Sequence, residues 1–231
     1  MDNGYKSQQK KMVKKLEETF ANVSNGPSFV EMQQDYENDD KICLTSIVFT
    51  PDEISKEIIS KVINRLKPFA PEDYFYNENT LHLTIKNIKT ISKPPLFTAE
   101  DVLKVDELFK RVISNFDSFE FELEDLLLFP TSVCIMAYSN DTLQKLVFSL
   151  DKGLKEIGIP DNKKYLSDSI FWGNITICRF TKQPSKEFIE EIKKFRNIKI
   201  GKLKVKEINL VTCNAACYPN SIEIINSYKL K

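Results

Sequence analysis

Apolar runs and helical stripes follow one another in the order strand, helix, strand, helix, strand, and after Pro130 that order begins again. A duplication of this kind restricts the chain to two similar lobes, each burying one sheet face beneath its helices. In the first copy, 42–49 (ICLTSIVF) reads as a buried β-branched strand. Thr50-Pro51-Asp52 starts a helix whose Ile54, Ile58, Ile59, Val62 and Leu66 share one stripe, closed by Pro68 and Pro71. A strand over 80–91 follows. Beyond Pro94-Pro95, Thr98-Ala99-Glu100-Asp101 leads a helix with Val102, Val105, Leu108, Phe109, Val112 and Phe116 on its apolar face, and 119–129 reads as a strand. The second copy has a strand at 133–138, a helix capped within Ser139-Asn140-Asp141 and ended by Gly158, and a strand within 171–180. A helix after Pro184 and closing strands within 198–213 and 221–230 complete it.

Ahead of the repeat, Met12, Val13, Leu16 and Phe20 fall at helical spacing over 8–20, and a polar, turn-rich stretch with Asn25-Gly26-Pro27 follows. Residues 1–40 therefore read as a helical arm and linker, and 41–231 as one bilobal domain. The cluster Lys10, Lys11, Lys14 and Lys15 fits a solvated helix face better than a phosphate contact. Lysine plus arginine balance aspartate plus glutamate at 33 each, which excludes a diffuse basic footprint and leaves room only for a local one. No apolar run reaches the length of a membrane span and the first residues lack a secretory pattern, so the expectation is a cytoplasmic protein with no membrane partner. The five cysteines include no CxxC pair. Cys43, Cys134 and Cys178 lie in apolar runs, whereas Cys213 and Cys217 are spaced to approach each other but make a poor zinc set alone. No metal and no cofactor are expected.

His82 is the only histidine in 231 residues, and it falls on a strand. Alternation places His82, Thr84 and Lys86 on one face and Leu81, Leu83 and Ile85 on the other. A proton-transfer group, a hydroxyl and a cation then stand in a row. The plainer alternative is a hydrogen-bonded histidine with a structural role. The duplication favours a pocket: Asn174-Ile175-Thr176 occupies the slot of His82-Leu83-Thr84, 92 positions later, and equivalent central strands of two lobes face a shared cleft. Trp172, just before Gly173, is the ring best placed for that cleft, while Tyr74, Phe75, Tyr76 and Phe171 are further stacking candidates or core. Tyr165 and Asp168 in the loop before the second slot, and Tyr218 near the C-terminus, are polar candidates. Arg179 falls on the face opposite Asn174 and Thr176 in a regular strand and reaches them only through a bulge.

With its duplicated order, Leu81-His82-Leu83-Thr84 and the run from Phe171 to Phe180 (FWGNITICRF), the chain resembles the 2H phosphoesterase superfamily over about 41–231. That superfamily includes the 2′-5′ RNA ligase-like proteins and cyclic nucleotide phosphodiesterases. The resemblance implies a duplicated α/β (α+β) fold with two sheets facing a central cleft and helices outside. It also implies proton transfer by the motif histidines and phosphate binding by the threonines, with no metal. A phosphodiester is attacked on one side while its leaving oxygen departs on the other, so an acid and a base are needed on opposite flanks. His82 fits one role. Asn174 does not titrate at usable pH and fits only hydrogen bonding.

The expectation is therefore a protein acting on or binding a phosphodiester of a nucleotide or RNA terminus, such as a 2′,3′-cyclic phosphate or a 2′-5′ linkage. His82 would be the single general acid/base, with Thr84, Asn174 and Thr176 on the phosphate and Lys86, Trp172, Tyr165 and Arg179 as substrate contacts. The alternatives are a catalytically degenerate nucleotide- or RNA-end-binding module and a protein-interaction scaffold.

Overall fold

The structure, a computed structural model, describes residues 3–19 and 30–231. Its strands are β1 (Ile42–Phe49), β2 (Tyr74–Phe75), β3 (His82–Ser92), β4 (Phe119–Phe129), β5 (Ser132–Ser139), β6 (Gly173–Arg179), β7 (Lys199–Val205), β8 (Glu207–Cys213) and β9 (Glu223–Lys229). The helices are α1 (Asn3–Thr19), α2 (Asp52–Ile58), α3 (Asn64–Leu66), α4 (Ala99–Ile113), α5 (Thr142–Glu156) and α6 (Lys186–Lys194). A π-helical turn, Ile59–Ile63, links α2 to α3. Phe20 and Asn25-Gly26-Pro27 lie outside the described residues.

The architecture is mixed α+β, with one nine-stranded sheet in the order β7-β4-β5-β6-β3-β1-β8-β9 and β2 added against β6. Every pairing is antiparallel, and the sheet curls into a half-barrel. The two expected sheets join where β3 meets β6, through the single register pair Leu83↔Ile175. Outward from that joint the order reads β3-β1-β8-β9 on one side and β6-β5-β4-β7 on the other, so the lobes are related by a pseudo-twofold. Each lobe also borrows from the other half of the sequence: β4 lies beside β5, and β8 beside β1.

One face carries the main core. Leu83, Ile85, Ile135, Ile175 and Ile177 pack there with Ile58, Val62 and Leu66, with Val105 and Phe109 of α4, with Leu146 and Leu150 of α5, and with Phe188 and Ile192 of α6. Helix starts follow local chemistry. The Thr98 hydroxyl accepts from Asp101 N at 3.2 Å and the Asp101 carboxylate accepts from Thr98 N at 2.8 Å, a reciprocal cap. Ser185 accepts from Phe188 N at 3.1 Å. At α5 the expected cap is looser: Asp141 occupies the N-cap without a side-chain bond, and Asn140 Oδ1 accepts from Thr142 N at 3.2 Å.

Two smaller clusters lie apart from the main core. Cys43, Ile47, Val211, Cys213 and Cys217 form one. The other joins Val13 and Leu16 of α1 to Leu127, Phe129, Cys134, Met136 and Tyr138. β4 serves both cores because a bulge at Asp125, with φ at 62°, reverses its alternation: Leu123 and Leu126 join the main core and Leu127 and Phe129 the second. α1 starts earlier than the expected 8–20, since Tyr5 and Gln9 are buried in line with Val13 and Leu16. Lys10 pairs with Glu124 at 2.9 Å, while Lys11, Lys14 and Lys15 are exposed.

Candidate functional site

At the joint of the lobes lies a cavity of about 210 Å³. Thr84 and Lys86 of β3 line it with Asn174, Thr176 and Arg179 of β6. Lys163, Tyr165, Phe171 and Trp172 form its other wall, with Leu16 and Val30 at its edge. The register explains the grouping. With Leu83 opposite Ile175, continuing the same alignment sets Thr84 opposite Asn174 and His82 opposite Thr176 across the pseudo-twofold.

Arg179 reaches this face because β6 is irregular. Val133 pairs with Cys178 but Cys134 pairs with Thr176, which leaves one extra residue on β6 between them. That bulge turns both Ile177 and Cys178 to the main core and returns Arg179 to the side of Asn174 and Thr176. The Arg179 Nε donates to Tyr76 Oη at 2.9 Å. Tyr76, 2% exposed, is in turn packed against Tyr74 with ring centroids 5.0 Å apart. β2, which the sequence does not announce, holds these rings in place by pairing Tyr74 with Arg179 and Phe75 with Cys178.

The cations of the cavity differ in what they face. Lys86 is 1% exposed, and its ammonium is bonded to Asp151 and Asp161, with the Tyr165 ring centroid 5.0 Å away. It is a neutralised structural cation. Lys163, missed in the sequence because it lies in a polar loop without periodicity, makes no ion pair among the described residues. Burial first, and then the nearby Arg179 charge, hold its ammonium below the usual lysine range. Arg179 likewise has no carboxylate partner among the described residues, so two cations outside any ion pair converge on a cavity whose lining holds no carboxylate, with Asp161 the nearby acidic group that acts on Lys163.

Polar groups sit beside them. Asn174 Nδ2 donates to Cys134 Sγ at 3.4 Å, and Cys134 Sγ lies 3.5 Å from Thr176 Oγ1. Trp172 packs partly on the cluster beneath α1 while lining the cavity. Asp168 is exposed and does not line the cavity, and Tyr218 packs on Tyr74 at 5.5 Å.

His82 stands next to this wall, not in it. It is 9% exposed, and its Nδ1 lies 2.7 Å from the Thr80 carbonyl, which can only accept, so that nitrogen carries the proton. Nε2 faces Cys217 Sγ at 3.5 Å. Burial opposes charge on the ring, but the neighbouring Cys217 and the hydrogen bonds outweigh it and hold His82 above its ordinary range. Cys217 moves the opposite way. The bond from Cys213, with help from His82 and against burial, brings its thiol well below the usual range.

No family model and no curated protein matches the sequence. Solved structures do match in shape. A crystal structure titled as a phosphoesterase superposes with a TM-score of 0.60 at 17% identity, covering 83% of this chain and 99% of the other. E. coli LigT complexed with 3′-AMP gives 0.58 at 16% identity, covering 83% and 99%. E. coli LigT complexed with ATP gives 0.57 at 16%, with the same coverage. The fold is that of the LigT-like 2H phosphoesterases. Within that fold the two central strands of this chain carry unlike slots, His82-Leu83-Thr84 on β3 and Asn174-Ile175-Thr176 on β6. Each central strand thus carries a threonine, but only β3 carries a histidine.

Proposed function

We propose that the cleft binds the phosphate of a nucleotide or RNA terminus, as a binding site in which acid–base catalysis is reduced or absent. The observation that carries this reading is the convergence of Arg179 and Lys163, both without carboxylate partners among the described residues, on the cavity of Thr84, Asn174 and Thr176. Two cations, two hydroxyls and an amide supply the donors a phosphate takes, and Arg adds a planar fork suited to its oxygens. Trp172 and Tyr165 offer rings to a base at the same wall. The shared fold of LigT, which was crystallised with 3′-AMP and with ATP, supports a nucleotide as the ligand class.

Hydrolysis is the second reading, favoured by the bond from His82 Nδ1 to the Thr80 carbonyl, which makes Nε2, 3.5 Å from Cys217 Sγ, the nitrogen that exchanges a proton. Calorimetry with 3′-AMP and 2′,3′-cyclic nucleotides, alongside a turnover assay in chelator, separates the two. Binding without turnover is expected. Arg179→Ala should weaken binding by about 1.5–3 kcal/mol, roughly tenfold to a hundredfold or more. Asn174→His should add a second titrating group, with turnover appearing in that variant. Turnover in the unaltered chain that is lost in His82→Ala would establish the enzyme instead, and an absence of binding by any nucleotide would overturn both.

A further inference from the structure

A second cluster of reactive groups lies beside the cleft, outside the binding reading. Cys213 ends β8, and Cys217 follows after a short turn. Their Sγ atoms lie 3.0 Å apart, and Cys217 Sγ is also 3.5 Å from His82 Nε2. The turn is fixed by Asn214, 1% exposed, whose Oδ1 accepts from Ala216 N and Tyr218 N at 3.1 Å each and whose Nδ2 donates to Tyr36 O at 2.7 Å. Cys217 is held at φ 46°, a left-handed conformation that costs a non-glycine residue energy and occurs preferentially where a side chain must be aimed. Geometry therefore places two thiols and an imidazole in sequence, with Cys217 between Cys213 and His82. Among the described residues no group of three or more metal-ligating side chains is arranged to hold an ion, so the cluster is read through its sulfur chemistry.

We propose that Cys217 is a peroxide-sensitive thiol resolved by Cys213, and that the Cys213–Cys217 disulfide so formed frees His82 Nε2 from its sulfur partner. His82 takes the Cys217 proton. The thiolate sulfur then attacks a peroxide oxygen and the O–O bond breaks. The departing hydroxide collects the proton from His82 as water and leaves Cys217 as a sulfenic acid. The Cys213 sulfur attacks that sulfur while its proton passes to the departing sulfenic oxygen. The S–O bond breaks and a second water leaves with the Cys213 proton. The sum is two thiols and one peroxide giving a disulfide and two waters. The sulfurs need to close by only about 1 Å to reach a bond of about 2.05 Å. Cys217 is buried, at 5% exposed, which favours a small oxidant over a bulky disulfide. Cys43 is the competing partner, with its Sγ 3.6 Å from that of Cys213, directly across the β1–β8 pair. Cys134 and Cys178 have no thiol in such a place among the described residues.

The test is to expose the full chain to hydrogen peroxide, block remaining thiols by alkylation and map the tryptic peptides. Glu207–Lys229 contains both cysteines and no internal cleavage site, so the proposed bond appears as one unalkylated peptide lighter by two hydrogens, restored by reductant. Cys213→Ser should stop the reaction at a sulfenic acid on Cys217 that a dione probe captures when the chain is unfolded in denaturant containing the probe. His82→Gln should slow disulfide formation on the order of tenfold at neutral pH, because Cys217 then lacks the neighbouring base that takes its proton. The imidazole signal of His82 should move in the oxidised chain. A link between the Cys43 and Cys213 peptides, oxidation confined to Cys134 or Cys178, or an unchanged rate in His82→Gln would overturn the proposal. None of these readouts uses a nucleotide, so a failed binding reading leaves them intact.

Discussion

The two nitrogens of His82 meet different neighbours: a carbonyl that can only accept faces Nδ1, and a thiol that gives up its proton readily faces Nε2. The ring therefore remains protonated to a higher pH than free imidazole, despite its burial. Because the chain has one histidine, a proton NMR titration reads it without assignment. The midpoint is expected above the ordinary imidazole value of about 6.5. In Cys217→Ser the stabilising sulfur is gone while burial, the Arg179 charge and the Thr80 bond remain, so the midpoint should fall. A midpoint that does not move would show that sulfur does not govern the ring. None of this was legible in the sequence, where His82 and Cys217 stand 135 positions apart. What alternation did show was that His82, Thr84 and Lys86 share a face, and Thr84 and Lys86 do line one wall. Arg179 escaped the same logic because parity holds only until a bulge, and a bulge is set by the partner strand's register.

α1 gives the clearest case of an element whose role depends on its packing. Gln9 is fully buried; its Nε2 donates to Phe171 O at 2.6 Å, and its Oε1 accepts from Ser139 N at 3.1 Å. Tyr5 Oη accepts from Phe171 N at 3.0 Å. The helix thereby clamps the residue just before Trp172, Gly173 and Asn174, and so sets the entry of β6 into the cavity wall. Gln9→Leu should leave Ser139 N without a partner and cost about 1–3 kcal/mol, read as a lower urea midpoint at unchanged slope. The same variant should weaken nucleotide binding, since β6 loses its clamp. An unchanged midpoint would mean that water replaces the amide. The stripe of Val13 and Leu16 was visible from spacing, but Tyr5 and Gln9 were not, because their buried status rests on polar atoms finding partners on β5 and the β6 approach. Long periodic elements such as α4 and α5 were readable for the opposite reason, since burial along them repeats. β2, two residues long, exists only through its pairing with β6.

At the scale of the molecule, the central strands of the two lobes meet through very little backbone, one register pair between β3 and β6 beside the two that β2 adds. Side chains reinforce that joint. Gly173 lies so close to Leu83 that an added Cβ would fall 2.7 Å from Leu83 Cδ1, so a side chain at that position would displace the buried Leu83 from the joint. Lys86, on β3 of one lobe, reaches Asp151 on α5 and Asp161 just beyond it, both belonging to the crossover of the other lobe. The duplication legible in the sequence accounts for the twofold arrangement, but this ion triad breaks it, because the position matching Lys86 in the second copy is Cys178, buried in the main core. Lys86→Met tests whether the triad holds the lobes in register. Removing one partner of a buried pair costs about 3–5 kcal/mol, and the partial exposure of both carboxylates reduces that to about 1–3 kcal/mol here. Adding Asp151→Asn and Asp161→Asn to Lys86→Met should recover part of the loss, because the stranded charges are then gone. If the triad also sets the spacing of the cleft, nucleotide affinity should fall in Lys86→Met and stay low in the triple variant. Stability recovered together with full affinity would show that the cleft is held by the apolar core alone.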